Sequence, residues 1–340
     1  MVHLLGLTFE ELRAVAERAS LPEYAAKQIA DWIYKKKITS IDDMTNISAA
    51  NRKLLSSYYD IGASTPVDAM KSSDGTIKYL FATGDGTRFV ESVYIPSKDR
   101  STLCVSSQVG CKMHCRFCMT GKQGFSAQLT ANDIMNQIQS IPENENLTNI
   151  VFMGMGEPFD NTDELFKALE ILTSAYGYAW SPKRITVSTV GILPGLKRFL
   201  DNSDCHLAIS LHSPYHEERL SLMPVEKTYP IDSIISLLHE YDFSHQRRVS
   251  FEYIMFDCLN DTNHHAKDLS RLLKGLDCRI NLIKFHTIPE ADLRSSNELK
   301  IVNFRDALNS LGVTCTIRAS RGEDIFAACG MLSTIKNNNR

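Results

Sequence analysis

Three cysteines fall within eight residues of one another, in Cys111-Lys-Met-His-Cys115-Arg-Phe-Cys118. Three thiolates at this C-x₃-C-x₂-C spacing on one loop can ligate three corners of a cubane iron–sulfur cluster. No fourth cysteine follows at a suitable spacing, so one iron is left open to a substrate-like ligand. The competing chemistry is structural zinc, with His114 or a distant cysteine as the fourth ligand. His114 adjoins Cys115, and neighbouring side chains diverge on most backbones, which favours the cluster.

Other residues could serve such a centre. Met153-Gly154-Met155-Gly156-Glu157-Pro158 puts glycines, which let a backbone approach a ligand, beside a carboxylate able to accept hydrogen bonds from an ammonium group. Alone, a plain strand-to-helix turn explains it equally. Ser188 and Ser210-Leu211-His212 close apolar runs and would face the same mouth. Near the C-terminus, Arg318-Ala-Ser-Arg-Gly-Glu-Asp-Ile-Phe-Ala-Ala-Cys329-Gly sets a thiol among small residues on a loop that could reach that mouth. By itself Cys329 could as well be structural. Cys205, Cys258, Cys278 and Cys315 carry no ligand spacing and read as small buried hydrophobes or inert thiols.

These residues need a scaffold. The 340 residues are 43% hydrophobic and 23% charged, ordinary for a globular protein. Nine cysteines are an odd number in a long chain, which argues against a disulfide framework. Met1–Leu7 is too short for a signal peptide, and no apolar run approaches the roughly 18–20 residues that span a bilayer. A cytoplasmic protein is expected. The net charge of −3 permits nucleic-acid binding without arguing for it. Basic residues cluster at Lys35–Lys37, Lys183-Arg184, Arg247-Arg248, and Arg318 with Arg321; taken singly, each fits a solvated surface.

Residues 1–62 read as a small helical domain. Thr8-Phe9-Glu10-Glu11 fits a capping box, and Ser48 can cap a helix holding Leu54, Leu55 and Tyr58. Residues 63–98 read as a linker, with a β-hairpin formed by Thr76–Thr83 and Arg88–Ile95 around Gly84-Asp85-Gly86. From 99 to 333, strands drawn at Thr102–Ser106, Asn149–Met153, Arg184–Ser188, His206–Leu211, Val249–Met255, Arg279–Phe285 and Thr314–Ala319 alternate with amphipathic stretches such as Asp163–Ser174 and Glu298–Leu311. That alternation predicts an α/β fold with a parallel sheet and crossover helices, here a partial (β/α)6-type barrel. Such barrels place their chemistry in the loops at the strand C-termini, where the cysteine cluster lies. A polar tail, 334–340, ends the chain.

The C-x₃-C-x₂-C pattern with an aromatic before its last cysteine resembles the radical S-adenosylmethionine (SAM) superfamily. Thr102-Leu-Cys-Val-Ser-Ser-Gln-Val-Gly-Cys111, the cysteine cluster, Met153–Pro158, Ser210-Leu-His-Ser-Pro214 and Asp324–Gly330 together resemble the RlmN/Cfr family of RNA methyltransferases, from the first helix almost to the end. The resemblance implies one [4Fe-4S] cluster held by Cys111, Cys115 and Cys118, and two SAM molecules per turnover. It implies SAM contacts at Gly156, Glu157, Ser188, Ser210, Leu211 and His212. His286 joins them, standing where the family usually has asparagine; both can hydrogen-bond.

The resemblance also implies the reaction. Cys329 takes a methyl group from one SAM, a 5′-deoxyadenosyl radical from the second abstracts hydrogen from that methyl, and the carbon radical adds to an adenine carbon. Cys104 then attacks the Cys329 sulfur to release the product, leaving a disulfide. Glu91, thirteen residues before Cys104, matches the family's proposed general base; otherwise it reads as an exposed strand carboxylate. Implied partners are 23S rRNA, tRNA and an electron donor, with the chain a monomer and Lys35–Lys37 grasping RNA.

Within the family the Gly156-Glu157-Pro158 turn and the Arg318–Asp324 run look RlmN-like, which favours C2 of adenosine as the target. Ser213-Pro214-Tyr215 and Tyr229-Pro230-Ile231 look Cfr-like, which would mean C8. The rivals are a non-catalytic zinc-containing RNA-binding protein and a radical SAM enzyme acting on another substrate, such as a peptide.

Overall fold

A ten-stranded sheet organises the chain. In chain order its strands are β1 Asp68–Lys71, β2 Ile77–Ala82, β3 Phe89–Pro96, β4 Ser101–Cys104, β5 Asn149–Phe152, β6 Ile185–Thr189, β7 His206–Ser210, β8 Val249–Met255, β9 Cys278–Lys284 and β10 Thr314–Ile317. The computed structural model describes residues 1–243, 249–289 and 291–334. Arg247-Arg248 and all but the first residue of the 334–340 tail lie outside the described residues.

β4 to β10 pair in parallel, each with the next. Helices cross between strands, among them Thr162–Thr173 and Glu298–Ser310, close to the two expected stretches. That makes seven parallel strands; β10, the seventh, launches the segment carrying Cys329. Among the described residues no pairing joins β10 to β1, so the barrel is open.

The expected hairpin is present as β2 and β3, but it is more than a linker. β3 pairs antiparallel with β4, with Val93 opposite Cys104, and β1 extends the sheet beyond β2. β1 escapes a sequence reading because its residues, Asp-Ala-Met-Lys, have little β-branched character and are mostly exposed.

The N-terminal helices form as their caps dictate. Thr8 and Glu11 complete the capping box of Phe9–Arg18, and the Ser48 hydroxyl accepts from Asn51 N at the start of Ala49–Ser56. The lysine run begins with the last residue of a π-helical turn, Asp31–Lys35. Lys35 pairs with Asp31 at 2.7 Å, Lys36 lies over the Trp32 ring, and Lys37 reaches Glu145 at 2.6 Å. One apolar core runs from Leu4 and Leu12 through the sheet to Leu332. Asn132 joins the parts by donating to Leu5 O and Gly62 O.

Candidate active site at the open end of the barrel

One cavity lies at the C-terminal ends of the parallel strands, and Cys111, Cys115 and Cys118 line it together. They sit between β4 and the short helix Met119–Gln123, for which Cys118 is the N-cap residue. Burial pushes the Cys111 thiol up to about 12, and pushes Cys115 well above the usual range with the nearby Cys118 and Cys111 adding to it. Cys118 is raised by burial as well. Three crowded thiols of this kind ionise once a cationic centre sits among them, which suits an iron–sulfur cluster. His114, the fourth ligand of the zinc reading, adopts a left-handed backbone (φ 51°) and lines a separate surface depression.

The β5 turn supplies a second wall. Gly156 has φ 98°, and a Cβ there would fall 2.5 Å from Gln108 Cβ, so only glycine fits. Glu157 is buried. Its Oε1 accepts from Phe159 N and from the Thr189 hydroxyl, and its Oε2 from Val190 N at 2.9 Å. Oε2 keeps one lone pair for a further donor. Burial outweighs these hydrogen bonds and raises the carboxyl to about 7.

Ser188, Ser210 and His212 line the same cavity. The His212 Nδ1 accepts from Ile254 N at 3.0 Å, and burial pushes the imidazole down to about 3. A neutral ring with Nδ1 accepting carries its proton on Nε2, leaving one donor on the cavity wall. Leu211, between these residues, turns instead into the main core.

Cys104, at the end of β4, and Cys329, on the segment after β10, are both on the cavity wall. Burial raises the Cys104 thiol to about 12, with neighbouring Cys329 adding to it. Cys329 is raised by its protein surroundings and opposed by Arg318. Arg318 hydrogen-bonds Cys329, lies 3.5 Å from Glu252 and reaches the Met153 sulfur. The role of Glu252 was missed in the sequence, although a lone carboxylate in the otherwise uncharged strand β8 was a signal. Arg219 was missed with no local signal. Fully buried, it pairs with Glu226 and donates to Val190 O, Ser210 O and Leu211 O, fixing the ends of two cavity-forming strands.

Two further candidates stand off the cavity wall. Glu91 is buried rather than exposed; it pairs with Lys78 at 3.0 Å and accepts from Ser333 N. His286 meets Ser320 Oγ at 2.9 Å and Glu323 at 3.1 Å. Both side chains hold the segment that carries Cys329. Of the remaining cysteines, Cys205, Cys278 and Cys315 are buried, whereas Cys258 is exposed.

Comparison with known proteins agrees with this geometry. Residues 105–269 match the model of the Radical SAM superfamily, and residues 2–61 that of the ribosomal RNA large subunit methyltransferase N-terminal domain. A probable dual-specificity RNA methyltransferase RlmN of Parabacteroides distasonis is 70% identical over 334 residues, 98% of this chain and 97% of that one. The dual-specificity RNA methyltransferase RlmN of Syntrophus aciditrophicus is 40% identical over 336 residues, 98% and 96% of the two chains. A crystal structure of a radical SAM methyltransferase from Sphaerobacter thermophilus matches with a TM-score of 0.91 at 38% identity, covering 97% of this chain and 99% of that one. The chain belongs to the RlmN family of radical SAM methyltransferases.

Proposed function

We propose that this chain methylates C2 of adenosine in 23S rRNA, in the peptidyl-transferase region, and of the adenosine 3′ of the anticodon in tRNA. The observation that carries the reading is the pair Cys104 and Cys329, neighbours on the wall of the cavity that the three-cysteine loop lines. A radical enzyme acting on a peptide would have no use for that pair. An adenine ring carbon is no nucleophile, so a polar methyl donor alone cannot modify it, and a carrier thiol answers that difficulty.

Cys111, Cys115 and Cys118 would hold one [4Fe-4S] cluster. Glu157, Ser188, Ser210 and the His212 Nε2–H would hold SAM, with Glu157 Oε2 taking its ammonium group. When bound, the cluster and SAM supply a polar methyl donor, used once, and a 5′-deoxyadenosyl radical, used once, hence two SAM molecules per turnover. Cys329 accepts the methyl as a thiolate and presents it to the base. Arg318 is a positioning residue that favours this thiolate. Once the adduct has lost its ring proton and returned its odd electron to a one-electron carrier, Cys104, giving up its own proton, attacks the Cys329 sulfur. An S–S bond forms, and the sulfur–carbon bond to the base breaks with its electron pair going to the methylene carbon. That carbon takes a proton to complete the methyl group, and an external two-electron reductant reopens the disulfide. Glu91 takes the proton leaving the base once Ser333 releases it, and His286 stays with the loop rather than with SAM.

The helical domain, residues 1–62, is the RNA-positioning part. Lys35 and Lys36 serve it better than Lys37, whose side chain is mostly buried and whose ammonium is held by Asn144 and Glu145. Phosphate contacts there set register, and the target base leaves its stack to enter the cavity. No helix among the described residues is long and apolar enough to cross a membrane.

The test is anaerobic incubation of reconstituted protein with SAM, reductant and a protein-free 23S rRNA fragment, followed by nucleoside mass spectrometry. 2-Methyladenosine is expected. 8-Methyladenosine would overturn the choice of carbon. SAM cleavage without methylated adenosine would overturn the substrate, and colourless, zinc-loaded protein would overturn the chemistry.

A further inference from the structure

Glu252 Oε2 is a buried oxygen that accepts no hydrogen bond among the described residues. Of the described buried side-chain atoms in that state, it is the one whose residue lines the reaction cavity. Burying a polar atom without a hydrogen bond costs stability. On the wall of a reaction cavity such an atom marks where a donor is received.

The other half of the carboxylate is held in place by its neighbours in the sheet. Strands β7 to β10 set Ser210, Glu252, Asn281 and Thr316 side by side. The Thr316 hydroxyl donates to Asn281 Oδ1 at 2.9 Å, and Asn281 Nδ2 donates to Glu252 Oε1 at 2.8 Å. Glu252 and Asn281 are both buried, so this chain fixes the carboxylate from inside the barrel. Oε1 is taken by Asn281, and Oε2 is left on the side of Arg318, whose Nε lies 3.5 Å away.

The position of Oε2 identifies the donor. Arg318 also hydrogen-bonds Cys329, so one guanidinium spans the distance between this oxygen and the carrier sulfur. Glu157, assigned above to the SAM ammonium, follows β5, and β6 and β7 stand between β5 and β8. The two carboxylates therefore belong to strands three spacings of about 4.8 Å apart. The group that must lie against Cys329 is the target base. Adenine has one exocyclic donor, the 6-amino group, and it stands across N1 from C2. We propose that Glu252 Oε2 accepts a hydrogen bond from the 6-amino group of the target adenine, selecting that base and turning C2 toward Cys329. The inference rests on the reading above that the substrate is adenosine in RNA. A 6-oxo purine would instead set an oxygen against the carboxylate, two acceptors with no proton between them.

The experiment uses the full chain with its cluster reconstituted, and 23S rRNA fragments carrying adenosine, purine ribonucleoside or inosine at the target position. All three keep a hydrogen on C2. The unaltered protein should use purine ribonucleoside, which lacks the amino group, about tenfold less well in kcat/KM, and inosine less well still. This arm needs no variant. In Glu252→Gln the amide oxygen stays with Asn281 Nδ2 and the amide NH2 takes the place of Oε2. A donor there suits the 6-oxo group of inosine and opposes the amino group of adenosine. The ratio of inosine to adenosine turnover should therefore rise about tenfold. SAM affinity, by calorimetry, and methyl loading of Cys329, by mass spectrometry, should match the unaltered protein. Equal use of adenosine and purine ribonucleoside by the unaltered protein would overturn the inference. So would an equal loss of activity on all three fragments in the variant, and weaker SAM binding with that ratio unchanged would give the oxygen to SAM instead. If the unaltered protein makes no methylated adenosine, the proposed function fails first; methylated adenosine with an unchanged ratio sinks this inference alone.

Discussion

Ser333 donates its backbone N–H to the Glu91 carboxylate at 2.9 Å, which ties the segment just beyond Cys329 to the residue expected to move a proton. The other Glu91 oxygen pairs with Lys78, and both side chains are largely covered. Glu91 therefore closes the loop in this structure, and the proposed mechanism asks it to accept a proton as well.

Truncating Glu91 leaves the Lys78 ammonium buried beside nothing of opposite charge. Glu91→Ala should lower unfolding stability by about 3 kcal/mol, read from denaturant midpoints, and Glu91→Gln by less because it keeps the packing. Both should abolish methylation of the base, yet Glu91→Gln should still accept a methyl on Cys329. A Glu91→Gln enzyme that turns over normally would remove the proton-transfer role.

Burial outweighs the three hydrogen bonds of Glu157 and sets its carboxyl at about 7. Below that value the carboxyl is protonated and offers no charge to the SAM ammonium; above it the carboxylate is ready. SAM affinity should therefore rise as pH increases through about 7. Glu157→Gln should bind SAM about tenfold more weakly, at the lower end for a lost charge-assisted hydrogen bond, and flatten the pH profile. Titration calorimetry between pH 6 and 8.5 measures both; a profile equally steep in the variant would assign the dependence elsewhere.

Asp74 fastens the start of the Cys329 segment from the hairpin side. It accepts from Thr76 N at 2.9 Å and Gly322 N at 3.0 Å. Burial opposes its charge, but these hydrogen bonds outweigh it and hold the carboxyl down at about 2. A depressed carboxylate adds stability above its unfolded value and loses it as pH falls through its folded one. The stability difference between the unaltered protein and Asp74→Asn should thus be full at neutral pH and vanish as pH falls from about 4 to about 2. At neutral pH the variant should also exchange amide hydrogen faster across residues 318–334, seen by mass spectrometry.

Sequence revealed most where chemistry is local. Cys111, Cys115 and Cys118 share eight residues, and Gly156-Glu157 follows directly on a strand, so spacing alone gathered them. The seven parallel strands announced themselves through β-branched runs between amphipathic stretches. What stayed hidden was long-range. The grip of Asp74 on Gly322, of Asp324 on Ser72, and of Glu91 on Ser333 each joins residues far apart in the chain, and nothing in either partner's neighbourhood marks it. Leu211 and His286 show the limit of a motif: Leu211 matches the family pattern and His286 departs from it, and the two side chains pack against the core and the loop respectively. Arg219 was invisible for another reason, since its function is to bind backbone carbonyls, which leave no trace in side-chain identity.

In the proposed mechanism it is Cys104 that releases the carrier sulfur from the base. Cys104→Ala should fold normally, because a small residue replaces a small buried thiol, and should accumulate RNA joined covalently to Cys329. Denaturing gels of the reaction mixture would show the adduct, and nuclease digestion followed by peptide mass spectrometry would place it. Full release of methylated RNA by this variant would contradict the resolving role.

The most direct measurement uses SAM whose methyl group carries only deuterium, and follows those atoms into the methyladenosine. Carriage on Cys329 with hydrogen abstraction predicts a product methyl that retains two deuterium atoms, the third appearing in 5′-deoxyadenosine. A product methyl retaining all three, with unlabelled 5′-deoxyadenosine, would mean direct transfer from SAM and would contradict the role of Cys329 as carrier.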